Sequence, residues 1–396
     1  MTSRTRLWVL LVSTPVIAFT LVGGYLGQVM AAKDDTLQHL RVFEDVVGLV
    51  INNYVEEVDV KQAMRGAMRG LADGLDIDSA FLTPDLVKTY ESNTSPGPAD
   101  IGVDIIRQYY LRIISARDGS PAAKAGLRTG DYIRAIDGKA TRDMSAFEGA
   151  RLLHGAPGSK VTLLIIRGNA ADPHEVTLTR ERPAGTEITS KMADASIGYV
   201  RVHEFSKDSA AKFKQAFESL AKSGATRYVV DLRGTSKGDL DDGLAAARLF
   251  VKSGTLAVKQ SKTTKETVSA NAGDGAISSR LVLVTNPGTS GAAEVFAAAL
   301  DGNKRAELVG ERTLGRAARQ RLVKLPDGSG LLLSVTRYQT PDGKDIHEKG
   351  LMPEVAVDEP DVEFGSTPPP GDPILDRALK VVAGDITAPA PEKKAA

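Results

Sequence analysis

Few of the residue types that carry covalent or metal chemistry occur in this 396-residue chain. Cysteine is absent, which excludes disulfides, thiolate metal ligands and a cysteine nucleophile. We expect no metal site and no cofactor, because the histidines are scattered and none belongs to an HExxH pattern. They are His39, His154, His174, His203 and His347. We therefore expect any catalytic chemistry to depend on side chains other than cysteine and not on a bound metal.

The overall charge gives no reason to expect a nucleic-acid partner. Lys+Arg and Asp+Glu are both 50, so the net charge is zero, and no basic block stands out. The chain is 42% hydrophobic and 25% charged, which is typical of a globular protein. At roughly 150 residues per domain, this length predicts two or three domains.

The N-terminus carries an uncharged, largely apolar stretch at residues 7–27, directly after Arg4 and Arg6. As a helix it is long enough to cross a hydrocarbon core of ~30 Å. The arginines favour a cytoplasmic tip at residues 1–6 and export of the rest. We therefore predict a single-pass anchor in the inner (cytoplasmic) membrane, with the bulk of the chain periplasmic or extracytoplasmic. A cleaved signal peptide is the alternative, since Val29-Met30-Ala31 resembles a cleavage site.

Residues 36–98 are predicted to form an N-terminal helical segment. Apolar residues recur there at helical spacing: Leu40, Phe43, Val46, Val47, Val50 and Ile51. A second helix is expected over 62–75. The pairs Asp78-Ser79 and Thr83-Pro84 provide start signals for a short third helix. A linker rich in helix breakers follows at 92–98.

Three further blocks complete the chain. Residues 99–183 alternate short β-like runs with glycine turns and one helix, which predicts a small separate domain. Residues 186–358 alternate strands and helices, which indicates an α/β layered core with a mostly parallel sheet. Residues 359–396 form a Pro-rich segment with a short helix at 374–382 and a tail expected to be disordered.

The small domain resembles PDZ domains. The stretch GSPAAKAGL at 119–127, followed by GDYI at 130–133 and IDG at 136–138, is similar to their glycine-rich run. The resemblance implies capture of an extended chain end as an added strand, with backbone amides holding its terminal carboxylate. By the same resemblance, the peptide-binding residues are Ile101, Gly102 and Val103, directly after Asp100. A PDZ domain used only for packing or dimerisation is the alternative.

The blocks around it resemble the carboxyl-terminal processing (tail-specific) serine peptidases. The matching segments, in chain order, are LDIDSAFL (75–82) to "LDPHSxYL", IGYVR (197–201) to "IGYIRI", DLR (231–233) to "DLRxNPGG", NPGTSGAAE (286–294) to "NxGSASASE", VGERTLGR (309–316) to "VGExTxGK", and YQTPDG (338–343) with GLMPE (350–354) to "YxTPxG…GIxPD". The resemblance implies a layered α/β peptidase core with an inserted PDZ domain.

By this resemblance, the chemistry would need a serine nucleophile and a lysine base. Anchored on Glu294, the nucleophile position holds Gly291 here. Anchored on Gly315, the base position holds Arg316, which is always protonated and cannot accept a proton.

The other catalytic positions match only in part. The glycine pair tied to the oxyanion hole reads Ser236-Lys237-Gly238 and keeps only Gly238. Gln320 matches the glutamine that assists the dyad. Arg316 has two interpretations, namely a clamp for a peptide carboxylate or a plain structural ion pair.

Three hypotheses follow. The first is a pseudopeptidase that captures peptide or protein C-termini through the PDZ domain and works with an active relative or as a homo-oligomer. The second is a serine endopeptidase that uses Ser290 as a displaced nucleophile with Lys237 or His203 as its base, although Ser290 could instead be the N-cap of the helix that follows. The third is a scaffold whose PDZ groove is filled intramolecularly.

Overall fold

The computed structural model describes residues 37–385 except 169–172, 184, 186 and 368. The chain divides into two compact units, residues 1–68 and 69–396. In the first unit, helix α1 covers residues 37–53, and α2 (Val60–Asp73) begins there. The predicted apolar residues of α1 are largely exposed, with Leu40 at 57%. None of the helices within the described ranges is both long and apolar enough to cross a membrane, and the proposed anchor at 7–27 lies outside these ranges.

The second unit is organised around a six-stranded sheet with the order β17-β14-β13-β10-β9-β8. Its strands are β8 (Ile188–Asp194), β9 (Ile197–Val202), β10 (Arg227–Asp231), β13 (Arg280–Thr285), β14 (Glu307–Gly310) and β17 (Val355–Ala356). Only β8 pairs antiparallel; the other neighbours are parallel. The inner strands form because continuous runs of Val and Leu suit a sheet that is covered on both faces. The predicted α/β core is confirmed.

Helices cover both faces of this sheet. One face packs on α6 (Ser209–Lys222), α7 (Leu240–Ala247) and α8 (Ala292–Gly302). The opposite face packs on α9 (Pro373–Ala383). Alternate side chains of each strand fill the two cores, as the period of two requires. Helix α8, which begins at the candidate site, is buried along its whole apolar length.

The small domain forms a separate sheet with the order β2-β3-β4-β6-β7, and β5 pairs with β4. Its elements are β2 (Val103–Gln108), β3 (Tyr110–Ala116), α4 (Pro121–Lys124), β4 (Tyr132–Ile136), β5 (Lys139–Ala140), α5 (Ala146–Leu153), β6 (Lys160–Ile166) and β7 (His174–Thr179). It has its own apolar core. Strand β2 lies at an edge of this sheet, so one side of its backbone is not paired by another strand.

A third sheet departs from the prediction. It joins β1 (Ala80–Leu82), β16 (Gly330–Gln339), β11 (Thr255–Ser261) and β12 (Lys265–Ser269), and β15 (Ala318–Lys324) also pairs with β16. Of these strands, sequence patterning predicted only one near 331–338. Asp78-Ser79 was wrongly interpreted as a helix start, because it leads into β1; the helix α3 (Pro84–Ser92) does begin after Thr83.

Candidate functional site

The two loops that hold the candidate residues leave the neighbouring parallel strands β10 and β13 at the same edge of the sheet. They are tied together by hydrogen bonds. The Ser290 amide donates to the Thr235 carbonyl at 3.0 Å, and the Thr289 hydroxyl donates to the Leu232 carbonyl at 2.8 Å. Sites in α/β proteins form at the carboxyl ends of parallel strands, so the candidate residues lie where this fold can support a site.

Gly291 is the N-cap of α8, with φ 65° and ψ −123°. This backbone conformation is one that side-chain-bearing residues rarely adopt, and strained strand-to-helix turns of this kind present the nucleophile in other hydrolases. A Cβ built at Gly291 would have the Ser236 carbonyl oxygen 3.7 Å away and the Arg316 carbonyl oxygen 3.8 Å away, which is ordinary contact. The position therefore keeps the shape and the room of a nucleophile turn without a hydroxyl.

Ser290 does not replace the missing hydroxyl geometrically. Its side chain is fully buried, and its Oγ has no hydrogen-bond partner among the residues that the structure describes. The proposed bases contact other groups: Lys237 Nζ lies 3.9 Å from Asp100 Oδ2, and His203 Nδ1 lies 3.5 Å from Asp118 Oδ2. The predicted N-cap role of Ser290 is also wrong, because Gly291 takes that position.

Arg316 is held by two carboxylates. Its Nε donates to Asp78 Oδ1 at 2.6 Å, and a terminal nitrogen lies 3.7 Å from Asp104 Oδ2. Burial works against the guanidinium charge, but these carboxylates outweigh it and raise the pKa of Arg316. Of its two predicted roles, the structure contains the ion pair. A guanidinium held in this protonated state cannot accept the proton of a serine hydroxyl.

Gln320 reaches the same segment as Arg316. Its Nε2 donates to the main-chain carbonyl of Asp78, so both side chains converge on one residue of the LDIDS stretch. That stretch lies 238 positions from Arg316 in the chain. Arg316, in the loop before β15, and Gln320, within β15, thus both anchor the segment before β1.

The Ser236-Lys237-Gly238 loop faces the small domain. Ser236 Oγ and Ser115 Oγ, both buried, lie 2.6 Å apart. Gly238 has φ 124°, and a Cβ there would lie 2.5 Å from the Phe205 carbonyl oxygen, so glycine is required for backbone reasons. The structure brings Ser236 and Gly291 together but directs both Ser236 and Lys237 toward the small domain.

The predicted peptide loop leads directly into the edge strand β2. Ile101 is buried, and its carbonyl accepts a hydrogen bond from the Ala122 amide. Gly102 has φ 81°, and its carbonyl accepts from the Arg117 amide at 2.7 Å. Val103 then pairs with Ala116 across to β3. The loop is therefore rigid and lies beside an unpaired strand edge, as strand addition requires.

Two cationic side chains and a histidine surround the carboxylate that precedes this loop. Asp100 is buried, and Arg117 donates to it at 2.7 Å. Lys237 Nζ and His154 Nε2 each lie 3.9 Å from its Oδ2. Burial opposes the charge, but the cations, Arg117 foremost, lower the pKa of Asp100. Arg117 and Lys237 thus place positive charge just before the start of β2.

Comparison with known proteins identifies the architecture. The model of peptidase family S41 matches residues 196–357, and a PDZ domain model matches 112–167. The carboxyl-terminal-processing protease of Picosynechococcus sp. is 33% identical over 302 residues, covering 74% of this chain and 72% of that relative. The same-named protein of Synechocystis sp. is 36% identical over 281 residues, covering 70% of this chain and 66% of its own length. This chain belongs to the carboxyl-terminal processing protease family.

A solved structure agrees. The photosystem II D1 C-terminal processing protease superposes with a TM-score of 0.67 at 31% identity, covering 77% of this chain and 84% of that one. The small domain is therefore a PDZ domain inserted in a mixed α/β peptidase fold, as the sequence predicted. The relatives are named as proteases.

The departures are coupled. In the family pattern LDPHSxYL, Asp78 occupies the histidine position, and its partner Arg316 occupies the lysine position. The Asp78 carboxylate and the Arg316 guanidinium, 2.6 Å apart, form a charge-assisted pair. The histidine and lysine that the family pattern has at these two positions would not form such a pair. The motifs taken one at a time do not show this contact. The signal in the sequence is that both positions differ from the family pattern, with an acid at one and a guanidinium at the other.

Glu294 is the second residue whose role the sequence did not reveal. It is fully buried, and its carboxylate accepts hydrogen bonds from the amides of Gly291, Gly315 and Arg316 and from the Thr313 hydroxyl. Burial raises the pKa of this carboxyl group. Glu294 thus joins the turn at Gly291 to the loop that carries Arg316. An acidic residue in the first turn of an otherwise apolar helix was the signal for this role.

Proposed function

We propose that this family member is a pseudopeptidase that binds peptide or protein C-termini through its PDZ domain, as an adaptor or regulator. The observation that carries the proposal is that Gly291 and Arg316 together occupy the nucleophile and base positions of the family pattern. The first has no hydroxyl, and the second is held protonated by Asp78. A serine mechanism needs both an attacking hydroxyl and a group that accepts its proton.

Hydrolysis tests this proposal directly. We expect the purified chain neither to degrade an unfolded protein such as casein nor to react with a fluorophosphonate, under conditions that label an active relative. The Ser290→Ala variant should behave identically, and its stability should be equal or up to about 1 kcal/mol higher, because it removes a buried hydroxyl without a partner. Cleavage that disappears in Ser290→Ala would instead establish a serine endopeptidase, the alternative that the relatives' names favour.

Binding of chain ends tests the PDZ part. The loop Ile101–Val103, the unpaired edge of β2 and the cations around Asp100 support a ligand with a free carboxylate. We expect peptides with a free C-terminus to bind and their amidated counterparts to bind at least about 10-fold more weakly, since charged hydrogen bonds contribute roughly 1.5–3 kcal/mol. Fluorescence anisotropy with a C-terminal peptide library measures this.

A variant of the loop supplies the matched comparison. Gly102→Val should abolish peptide binding, because a Cβ there would lie 2.2 Å from Ser120 Cβ. Gly119→Ala is the control: its φ of 71° is similarly strained, but nothing lies within 4 Å. Unchanged affinity in a folded Gly102→Val protein would remove this loop from the binding site. Circular dichroism establishes that each variant is folded.

Membrane attachment belongs to the same proposal. The uncharged stretch at 7–27 with Arg4 and Arg6 before it supports a single-pass anchor and a periplasmic location for the bulk of the chain. Such an anchor would keep the PDZ domain near exported proteins and near an active relative. Retention in the membrane pellet after alkaline extraction is the expected result; quantitative release would count against the anchor.

A further inference from the structure

Three charged contacts between the PDZ domain and the peptidase core have the same polarity. The PDZ domain contributes aspartates and the core contributes cations. Asp104 lies 3.7 Å from Arg316, and Asp118 lies 3.0 Å from Arg201. Asp100 lies 3.9 Å from Lys237. Complementary charge fixes how two surfaces are oriented, even where each pair contributes little affinity.

Two of the three core cations, Lys237 and Arg316, stand at positions that differ from the family's catalytic pattern, whereas Arg201 agrees with it. Ser236 and Lys237 stand where the pattern DLRxNPGG has proline and glycine, and Arg316 stands where it has lysine. Neither proline nor glycine has a polar side chain. The forked guanidinium of Arg316 reaches Asp78 and Asp104 together, which its rigid planar donor set favours over an ammonium.

Close backbone approach accompanies these polar contacts. A Cβ at Gly288, in the turn before Gly291, would lie 2.7 Å from the Ile114 carbonyl oxygen on β3. The buried hydroxyls of Ser236 and Ser115 meet beside it at 2.6 Å. The PDZ strand β3 is therefore pressed directly onto the loops of the vacated site.

We propose that the vacated catalytic positions now serve as a polar clasp that holds the PDZ domain in one orientation on the core. The clasp consists of Ser236, Lys237 and Arg316 on the core and Ser115, Asp100 and Asp104 on the PDZ domain. It is an intramolecular docking surface whose partner is this chain's own PDZ domain. This role is separate from the proposed function, because it holds whether or not the PDZ domain binds C-termini.

The clasp has a defined dependence on salt. Two of its three contacts are ion pairs that are partly exposed at the domain boundary, with Lys237 at 40% and Asp104 at 24% of side-chain exposure. Exposed pairs are screened when the Debye length falls from about 30 Å at 0.01 M to about 3 Å at 1 M ionic strength. The orientation of the PDZ domain should therefore loosen as salt is added.

The absence of cysteine allows a direct distance measurement in the full chain. Single cysteines at Lys139 on the PDZ domain and Lys222 on the core, both exposed and outside the clasp, would carry spin labels. We expect one narrow distance distribution at about 0.01 M salt. The core-side variant Ser236→Ala/Lys237→Ala/Arg316→Gln should add a second, broad population and raise the open fraction at least about 10-fold.

A second variant distinguishes a broken clasp from a loss of folding. It is needed because Arg316→Gln in the first variant also removes the partner of Asp78. Ser115→Ala/Asp104→Asn breaks the clasp from the PDZ side and leaves the Arg316–Asp78 pair intact. It should broaden the distribution in the same way. Arg319→Gln is the control, because Arg319 pairs with Asp239 and Asp241 inside the core. A PDZ-side variant with the wild-type distribution at both salt levels, or a wild-type distribution already broad at low salt, overturns the clasp.

Discussion

Replacing Gly291 by serine, Arg316 by lysine and Asp78 by histidine in one chain is expected to raise proteolytic activity well above that of the wild-type chain. The first change adds a hydroxyl at a turn whose backbone already has φ 65° and ψ −123° and whose Cβ position is open. The second supplies an amine that can lose its proton. A correctly placed general base contributes roughly 100-fold or more to such a reaction. Release of dye from labelled casein measures the gain.

The third change is needed because of the charge on Asp78. A carboxylate this close to residue 316 would hold an introduced lysine protonated, since an opposite charge favours the charged form. With histidine at 78, one of the two carboxylates beside residue 316 is gone, so burial, which lowers the pKa of a lysine, is opposed chiefly by Asp104. Gly291→Ser/Arg316→Lys with Asp78 kept should therefore be at least about 10-fold slower near pH 7, a gap of about 1.4 kcal/mol, and the difference should shrink as the pH rises.

The matched control keeps everything except the nucleophile. Gly291→Ala/Arg316→Lys/Asp78→His carries the same strain at residue 291 but no hydroxyl, so it should be inactive and should not react with a fluorophosphonate. Equal activity in this control would show that residue 291 is not the nucleophile. A folded serine-containing triple variant with neither turnover nor labelling would show that further changes, at Ser236 and Lys237, have closed the site.

The parts of the fold that sequence patterning predicted share a local cause. Strands such as β10 and β13 are continuous apolar runs bounded by turns and crossover helices, so a short window contains the information. The PDZ domain could also be predicted from local sequence, because its turns need positive φ and carry glycine. These glycines are Gly119, Gly126, Gly130 and Gly138. Glycine is the residue that such turns require.

The third sheet was missed because its strands depend on distant partners. β15 reads ARQRLVK, which has neither an apolar run nor a regular apolar alternation; its half-buried and exposed residues alternate only in the folded sheet, and none is fully buried. Its order comes from pairing with β16. β1 is three residues long inside a segment rich in helix formers, and it pairs with residues about 250 positions away, Ala80 with Leu332. Tertiary pairing outweighs local propensity in such strands.

The motif order singled out Gly291, Arg316 and Gln320, but it gave none of their contacts. In the structure Glu294 joins Gly291 to Arg316, and Asp78 joins Arg316 to Gln320. The partners Asp78, Asp100 and Asp104 lie on other blocks of the chain, and no local pattern relates them to these residues. A charge pair between segments more than 200 positions apart is set by the folded chain alone.

Loss of the Glu294 carboxylate is expected to cost more stability than any other single change considered for this site. Four donors converge on it from two loops, and all of them lose their acceptor in Glu294→Ala. A buried donor left unpaired costs about 1–3 kcal/mol, partly relieved by relaxation, so we expect a loss of roughly 3–5 kcal/mol. Urea unfolding followed by circular dichroism measures the loss as a lower midpoint at unchanged slope.

Two substitutions separate the hydrogen-bond role of Glu294 from charge and from volume. Glu294→Gln keeps one acceptor oxygen and nearly the same shape, so it should lose about half as much as the alanine variant. Glu266→Ala removes an exposed glutamate from β12 and should change stability by less than about 0.5 kcal/mol. If Glu294→Ala were as stable as Glu266→Ala, the loops around Gly291 and Arg316 would have to hold their positions without this carboxylate. The backbone conformation of Gly291 would then need another physical cause, since Glu294 is the side-chain acceptor of the Gly291 amide.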